Sequence, residues 1–102
     1  MKLVWTEPAV SDLQAIHAYI SRDSEIYATH FAENVLVQAE RLAQFPRMGR
    51  VVPEADDENI RELILGNYRL MYRVQAARVE ILAIVHGRRE LGLLARKPWE
   101  VE

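Results

Sequence analysis

No cysteine occurs among the 102 residues of this chain. Disulfide scaffolds, thiolate zinc sites and cysteine nucleophiles are therefore excluded, and the composition fits a reducing compartment. Glycine and proline are scarce, with four of each. Neither a G-x-G-x-x-G fingerprint nor a P-loop is present, so nucleotide cradles are not expected. No run of about 18 apolar residues exists, so nothing in the sequence spans a membrane. The apolar stretch in Met1–Thr6 is too short for a signal peptide, and the expected location is cytoplasmic. His17, His30 and His86 show no metal-ligand spacing such as H-E-x-x-H, so neither a metal nor a cofactor is expected. Ser11, Ser21 and Ser24 fall in helical or break positions, with no elbow to expose a nucleophile.

What is present is a chain half hydrophobic and 27% charged, of a length suited to one domain spanning 1–102. The net charge of −2 conceals an asymmetry. Residues 1–60 carry five basic and ten acidic side chains, a net of −5, whereas residues 61–97 carry eight basic and three acidic, a net of +5. A basic C-terminal half would face nucleic acid or an acidic protein segment, unless the patches cancel in three dimensions.

Leu3, Val4 and Trp5 are strand-like, and Pro8 stops the strand. Thr6 can cap a helix that tolerates Pro8 in its first turn. Val10, Leu13, Ile16 and Ile20 then repeat at threes and fours, which predicts one buried helical face. After a polar break at Arg22-Asp23-Ser24, a second stripe runs through Tyr27, Phe31, Val35, Ala39 and Leu42 and ends before Pro46. So short a break predicts an antiparallel helical hairpin. The span 46–59 reads as a loop. Beyond it the period changes to two, and Ile60–Leu65, Tyr68–Val74 and Val79–Val85 read as strands joined by turns at Gly66-Asn67 and Gln75–Arg78. The tail, 91–102, contains Leu91, Leu93, Leu94 and Trp99, too apolar to stay free, and should dock on the domain or a partner. The expected fold is α+β, in the order β-α-α-β-β-β, with an N-terminal strand and a helical hairpin packed on a mainly antiparallel sheet.

The turn lengths fix a register. Leu65 opposite Tyr68 sets Leu63 against Leu70 and Arg61 against Tyr72. Val74 opposite Val79 sets Tyr72 against Ile81, Leu70 against Ala83 and Tyr68 against Val85. Those side chains would share the helix-packed face, leaving Glu62, Arg69, Met71, Arg73, Glu80 and His86 on the other. On that second face, one reading is a solvated ladder of cross-strand ion pairs, Arg73 with Glu80 and Glu62 diagonal to both arginines. The other reading is an anion-binding surface, since guanidinium forks suit phosphate and carboxylate. His86-Gly87-Arg88-Arg89 closes the last strand, where a histidine beside arginines could act as a general acid or base on a phosphate ester.

Several patches recur in a fixed order: Trp5-Thr6-x-x-Ala9-x-x-Asp12-Leu13, Pro46-x-x-Gly49-Arg50-x-x-Pro53-Glu54 and Ile60-Arg61-Glu62-Leu63. They are followed by Gly66-Asn67-Tyr68-Arg69-x-x-Tyr72-Arg73-Val74 and Val85-His86-Gly87-Arg88-Arg89. In this order and spacing the chain resembles the RelE/ParE superfamily of toxins from type II toxin–antitoxin modules, from about Lys2 to Glu90. The resemblance implies a helical hairpin on an antiparallel sheet and a cognate antitoxin as partner. It also implies one of two targets. ParE-like members poison DNA gyrase without assigned nuclease residues. RelE-like members cut mRNA in the ribosomal A site by 2′-hydroxyl attack. RelE proper relies on lysines, arginines and a late tyrosine, whereas here the only lysines are Lys2 and Lys97. The YoeB-like variant implies Glu54 as base, Arg69 on phosphate and His86 as acid, although Gly87 stands where that variant has an aromatic residue. The missing lysines and the tail favour the ParE-like reading. Arg61, Arg69, Arg73, Arg88 and Arg89 are then the expected basic face for target or antitoxin, with homo-oligomerisation left open. A non-toxic adaptor domain is the alternative of a different class.

Overall fold

Thr6 decides where the first strand ends and the first helix begins. Its hydroxyl accepts from the Ala9 N–H at 3.3 Å and caps the helix that carries Pro8 in its first turn. The computed structural model describes residues 1–88, 91, 94 and 96–100. Strand β1 (Lys2–Trp5) leads into α1 (Glu7–Ser21), and Ser24 caps α2 (Glu25–Gln44) by accepting from the Tyr27 N–H. Then come β2 (Arg50–Val51), β3 (Ile60–Leu65), β4 (Tyr68–Val74), β5 (Arg78–His86) and a 3-10 turn at Pro98–Glu100. The five strands form one sheet in the order β1-β5-β4-β3-β2, with only the β1–β5 pair parallel. This is the expected α+β architecture. β2 is an addition to it: two residues within the span read as a loop pair antiparallel with Glu62 and Arg61 of β3.

The hairpin register is as expected through Leu65 opposite Tyr68, Leu63 opposite Leu70, Arg61 opposite Tyr72, and Val74 opposite Val79. It departs after Tyr72 and Ile81. There Met71 pairs with Ala83 rather than Leu82, so Leu82 is an extra, bulged residue. Every later β5 residue therefore turns over. Ile84 opposes Leu70 and packs under the helices, while Ala83 and Val85 move to the opposite face, and His86 comes to lie opposite Tyr68. Two residues of α1 and its cap grip the bulge. The Thr6 N–H and hydroxyl both donate to the Ile81 carbonyl, and the Asp12 carboxylate accepts from the Ile84 N–H at 3.0 Å. The spacing of Thr6, Ala9 and Asp12 is thus one helical face closing on one irregular strand.

The helix-side core joins Ala9, Val35, Ala39 and Leu42 to Leu70, Tyr72, Val79, Ile81 and Ile84. Three positions of the expected stripes fall outside it: Val10, 40% exposed, Tyr27, 61% exposed, and the half-buried Ile20. Ala9 and Ala28 are buried instead, because the small side chain is what allows close approach of the packed elements. The second sheet face is not solvated. Val52, Ile60, Met71, Leu82, Ala83, Val85 and Leu91 form a second core there, packed by Ala55, Leu94 and Trp99. Of the tail residues expected to dock, Leu91, Leu94 and Trp99 do so on the domain itself, whereas Leu93 lies outside the described residues.

Candidate functional site

The loop from Pro46 to Glu54 is fixed to the sheet by one tyrosine. The Tyr72 hydroxyl donates to the Pro46 carbonyl at 2.8 Å and accepts from the Gly49 N–H at 2.9 Å. Burial raises that hydroxyl above its ordinary value of 10.0, so it remains a donor. Gly49 also offers its carbonyl to Arg61, which donates a second bond to the Glu58 carbonyl. Val52 fills the second core, and Arg50 and Glu54 are thereby set against β3 and β4.

Four charged side chains meet at that edge. Glu62, whose side chain is fully buried, accepts from Arg50 Nε and from Arg69 Nε, each at 2.6 Å. Arg69, 5% exposed, turns its remaining fork onto Glu54, donating from both terminal nitrogens at 3.0 and 2.8 Å. Two guanidinium groups and two carboxylates thus neutralise one another. The Arg69 hydrogen bonds hold the Glu54 carboxyl below its ordinary value of 4.5 against a smaller opposing effect of burial. Since folding lowers this pKa, the stability it contributes is present above about pH 4.5 and disappears as pH falls through the lower folded value. In urea melts across pH, wild type should exceed Glu54→Gln in midpoint near neutrality, and the gap should close in acid. A gap that stays unchanged down to the acid limit of the folded state would contradict this assignment.

A groove of about 430 Å³ opens beside the cluster, lined in part by Arg50, Glu54, Tyr68, Arg69, His86 and Arg88. The Gly66-Asn67 turn, with Gly66 at φ +62°, and a bond from the Gly87 N–H to the Asn67 carbonyl bring the end of β5 to its rim. His86 lies edge-on to Tyr68, ring centroids 5.5 Å apart, and its Nδ1 accepts from the Arg88 N–H at 3.2 Å. A neutral His86 ring therefore carries its proton on Nε2. Glu54, Arg69 and His86, the residues singled out through the YoeB-like resemblance, all line this groove. Sequence reasoning missed how Arg69 is occupied: by Glu54, and by a buried Glu62 shared with Arg50. The alternation that set Glu62 diagonal to Arg69 was the signal that carried half of it.

Of the five arginines expected on one basic face, the four described ones are not assembled there. Arg61 pairs with Tyr72 on the helix side of the sheet, while Arg69 and Arg73 belong to the other, because alternate residues point to opposite faces. Arg73 donates to Glu80 at 3.2 Å and to the Trp99 carbonyl. Arg88 is exposed at the groove rim, and Arg89 lies outside the described residues. Among the described residues no group of three or more His, Asp or Glu is placed to hold a metal ion, and no helix is long and apolar enough to cross a membrane.

The architecture is that of a small α+β domain in which a helical hairpin backs an antiparallel sheet and a loop is clasped over its far edge. Residues 3–91 match the family of ParE toxins of type II toxin–antitoxin systems, parDE. The chain belongs to that family. It is 34% identical over 89 residues to toxin RelE2 of Caulobacter vibrioides, covering 86% of this chain and 97% of that toxin. It is also similar to a chain in the solved structure of a chromosomal ParDE TA system from P. aeruginosa. The two share 27% identity with a TM-score of 0.69, over 84% of this chain and 95% of that one.

Proposed function

We propose that this toxin arrests growth by binding and poisoning DNA gyrase, without cutting RNA, and that a cognate antitoxin neutralises it. The observation that carries the reading is the internal pairing of Glu54 with Arg69. A general base for 2′-hydroxyl attack works best with a pKa near the operating pH, and Glu54 is held below the ordinary carboxylate value. A phosphate clamp needs a free guanidinium edge, and the fork of Arg69 is filled by two carboxylates. His86 alone leaves a general acid without its base. The antitoxin segment, acidic and disordered when free, would fold along the helical hairpin. Support comes from a cavity of about 340 Å³ there, lined by Tyr19, Tyr27, Phe31, Leu65 and Tyr68.

Expressed alone, the protein should arrest bacterial growth with filamentation, and co-expression with the product of the adjacent reading frame should relieve it. Purified toxin should inhibit gyrase supercoiling. Glu54→Ala and His86→Ala should stay toxic to within a few-fold, with circular dichroism verifying the fold. A ribosome-dependent nuclease would instead lose about 10²–10⁴-fold in cleavage from either change. Loss of toxicity on that scale in folded variants, with mRNA cut at codons in cells making wild type, would overturn the gyrase reading.

A further inference from the structure

Outside the groove, where α2 ends, Phe45 is 57% exposed. It does not sit on a loose loop. The Phe45 N–H donates to the Arg41 carbonyl at 2.8 Å, and the Met48 N–H returns to the Phe45 carbonyl at 3.0 Å. The next carbonyl, Pro46, is held by the buried Tyr72 hydroxyl, and Met48 packs against the helix-side core. An aromatic ring is thus presented to solvent on a pinned turn, so little ordering entropy would be lost on binding.

Arg41 and Arg47 flank it. Their treatment differs from that of Arg50, Arg69, Arg73 and Arg78, each of which meets a carboxylate. Among the described residues, the Arg41 guanidinium bonds only the amide oxygen of Gln38, at 3.4 Å, and that of Arg47 only the amide oxygen of Asn59, at 3.3 Å. Both residues are exposed, and neither would have to break an ion pair with a described residue to meet a new partner. With Pro46 and Met48 they border a shallow apolar depression of about 660 Å³. An aromatic anchor between arginines is the composition that dominates binding energy at protein interfaces.

We infer that the Phe45 turn is the surface by which the toxin grips its target protein, and that it fits an apolar socket rimmed by carboxylates. The inference rests on the proposed protein target and says where that target is held. The Tyr19–Tyr27 cavity assigned to the antitoxin lies at the other end of α2, whose 20 residues span about 30 Å. The two partners would then meet opposite ends of one helix.

The test is gyrase supercoiling inhibition by purified Phe45→Ser, by Arg41→Glu/Arg47→Glu and by the conservative Phe45→Trp, with melting temperature as the check on folding. A central anchor predicts that the half-inhibitory concentration rises about 30-fold for Phe45→Ser and for the double charge reversal, and stays within a few-fold for Phe45→Trp. Should Phe45→Ser fail to fold, Phe45→Ala takes its place, so that the loss at the ring is always compared with that of the charge reversal. Inhibition by folded variants equal to wild type would overturn the surface. So would a loss confined to the charge reversal, which would mark a phosphate-binding patch. If wild type itself leaves gyrase untouched, the gyrase reading fails separately. Growth arrest by the same variants then decides the surface: lost arrest supports it, and undiminished arrest overturns it.

Discussion

Gly49→Ala should destabilise the fold by about 3 kcal/mol or more, the combined scale of an overpacked core and lost buried hydrogen bonds. The reason is space. A Cβ at this position would stand 2.5 Å from the Glu62 carbonyl oxygen and 2.6 Å from the Tyr72 hydroxyl. Both neighbours are hard to move, one being backbone in the middle of β3 and the other the buried ring that pins the loop. Any relief pushes the loop outward, breaks the Gly49–Tyr72–Pro46 bonds and loosens Arg50 from Glu62. Gly66→Ala makes the contrast. That position has nothing within 4 Å of the new methyl but sits at φ +62°, so its cost is conformational, about 1–2 kcal/mol. Urea denaturation of the two variants should rank Gly49→Ala as the more damaging. The reverse order would show that the loop yields and that Tyr72 is not its anchor.

The fold was legible wherever a local signal was tied to one buried face. Thr6 and Pro8 marked a helix start, the polar break at Arg22-Asp23-Ser24 separated the two helices, and the Gly66-Asn67 turn set the β3–β4 register that is observed. The bulge at Leu82 was not legible, for a physical reason. Residues 81–85 are apolar throughout, and both sides of the sheet are covered, so neither register exposes a hydrophobic residue and the period-two signal vanishes. The register is set from elsewhere, by Thr6 and Asp12 reaching across from α1. The same hidden second layer explains the candidate site. Glu62, Arg69, Arg73 and Glu80 alternate as a solvated ladder would, and only the apolar content of the tail hinted that something lies over them. Reading Glu62, Arg69 and Glu80 as buried required knowing that this face is covered, with Leu91, Leu94 and Trp99 folded back across the sheet.

Glu62→Ala should cost about 3–5 kcal/mol, the scale of removing one partner from a buried ion pair. The carboxylate is fully buried and accepts both Arg50 and Arg69 at 2.6 Å. Arg50 is 62% exposed in its side chain and would be rehydrated at little cost, whereas Arg69, at 7%, would keep only the partly exposed Glu54. The damage therefore lies in a stranded Arg69. It follows that Glu62→Leu combined with Arg69→Met should be far less destabilising than Glu62→Ala, because an apolar pair of similar volume removes both the stranded charge and its desolvation. Denaturation midpoints of the two variants and wild type test this directly. A Glu62→Ala protein within about 1 kcal/mol of wild type would mean that water reaches Arg69 and that the cluster is not sealed. A double variant as unstable as Glu62→Ala would place the loss in packing at the β3–β4 edge and not in charge. The outcome also bears on the site. If the apolar double variant is stable, folded and still toxic, Arg69 and its carboxylates hold the loop in register and take no part in chemistry, as a gyrase poison requires and an RNA-cutting toxin would not permit.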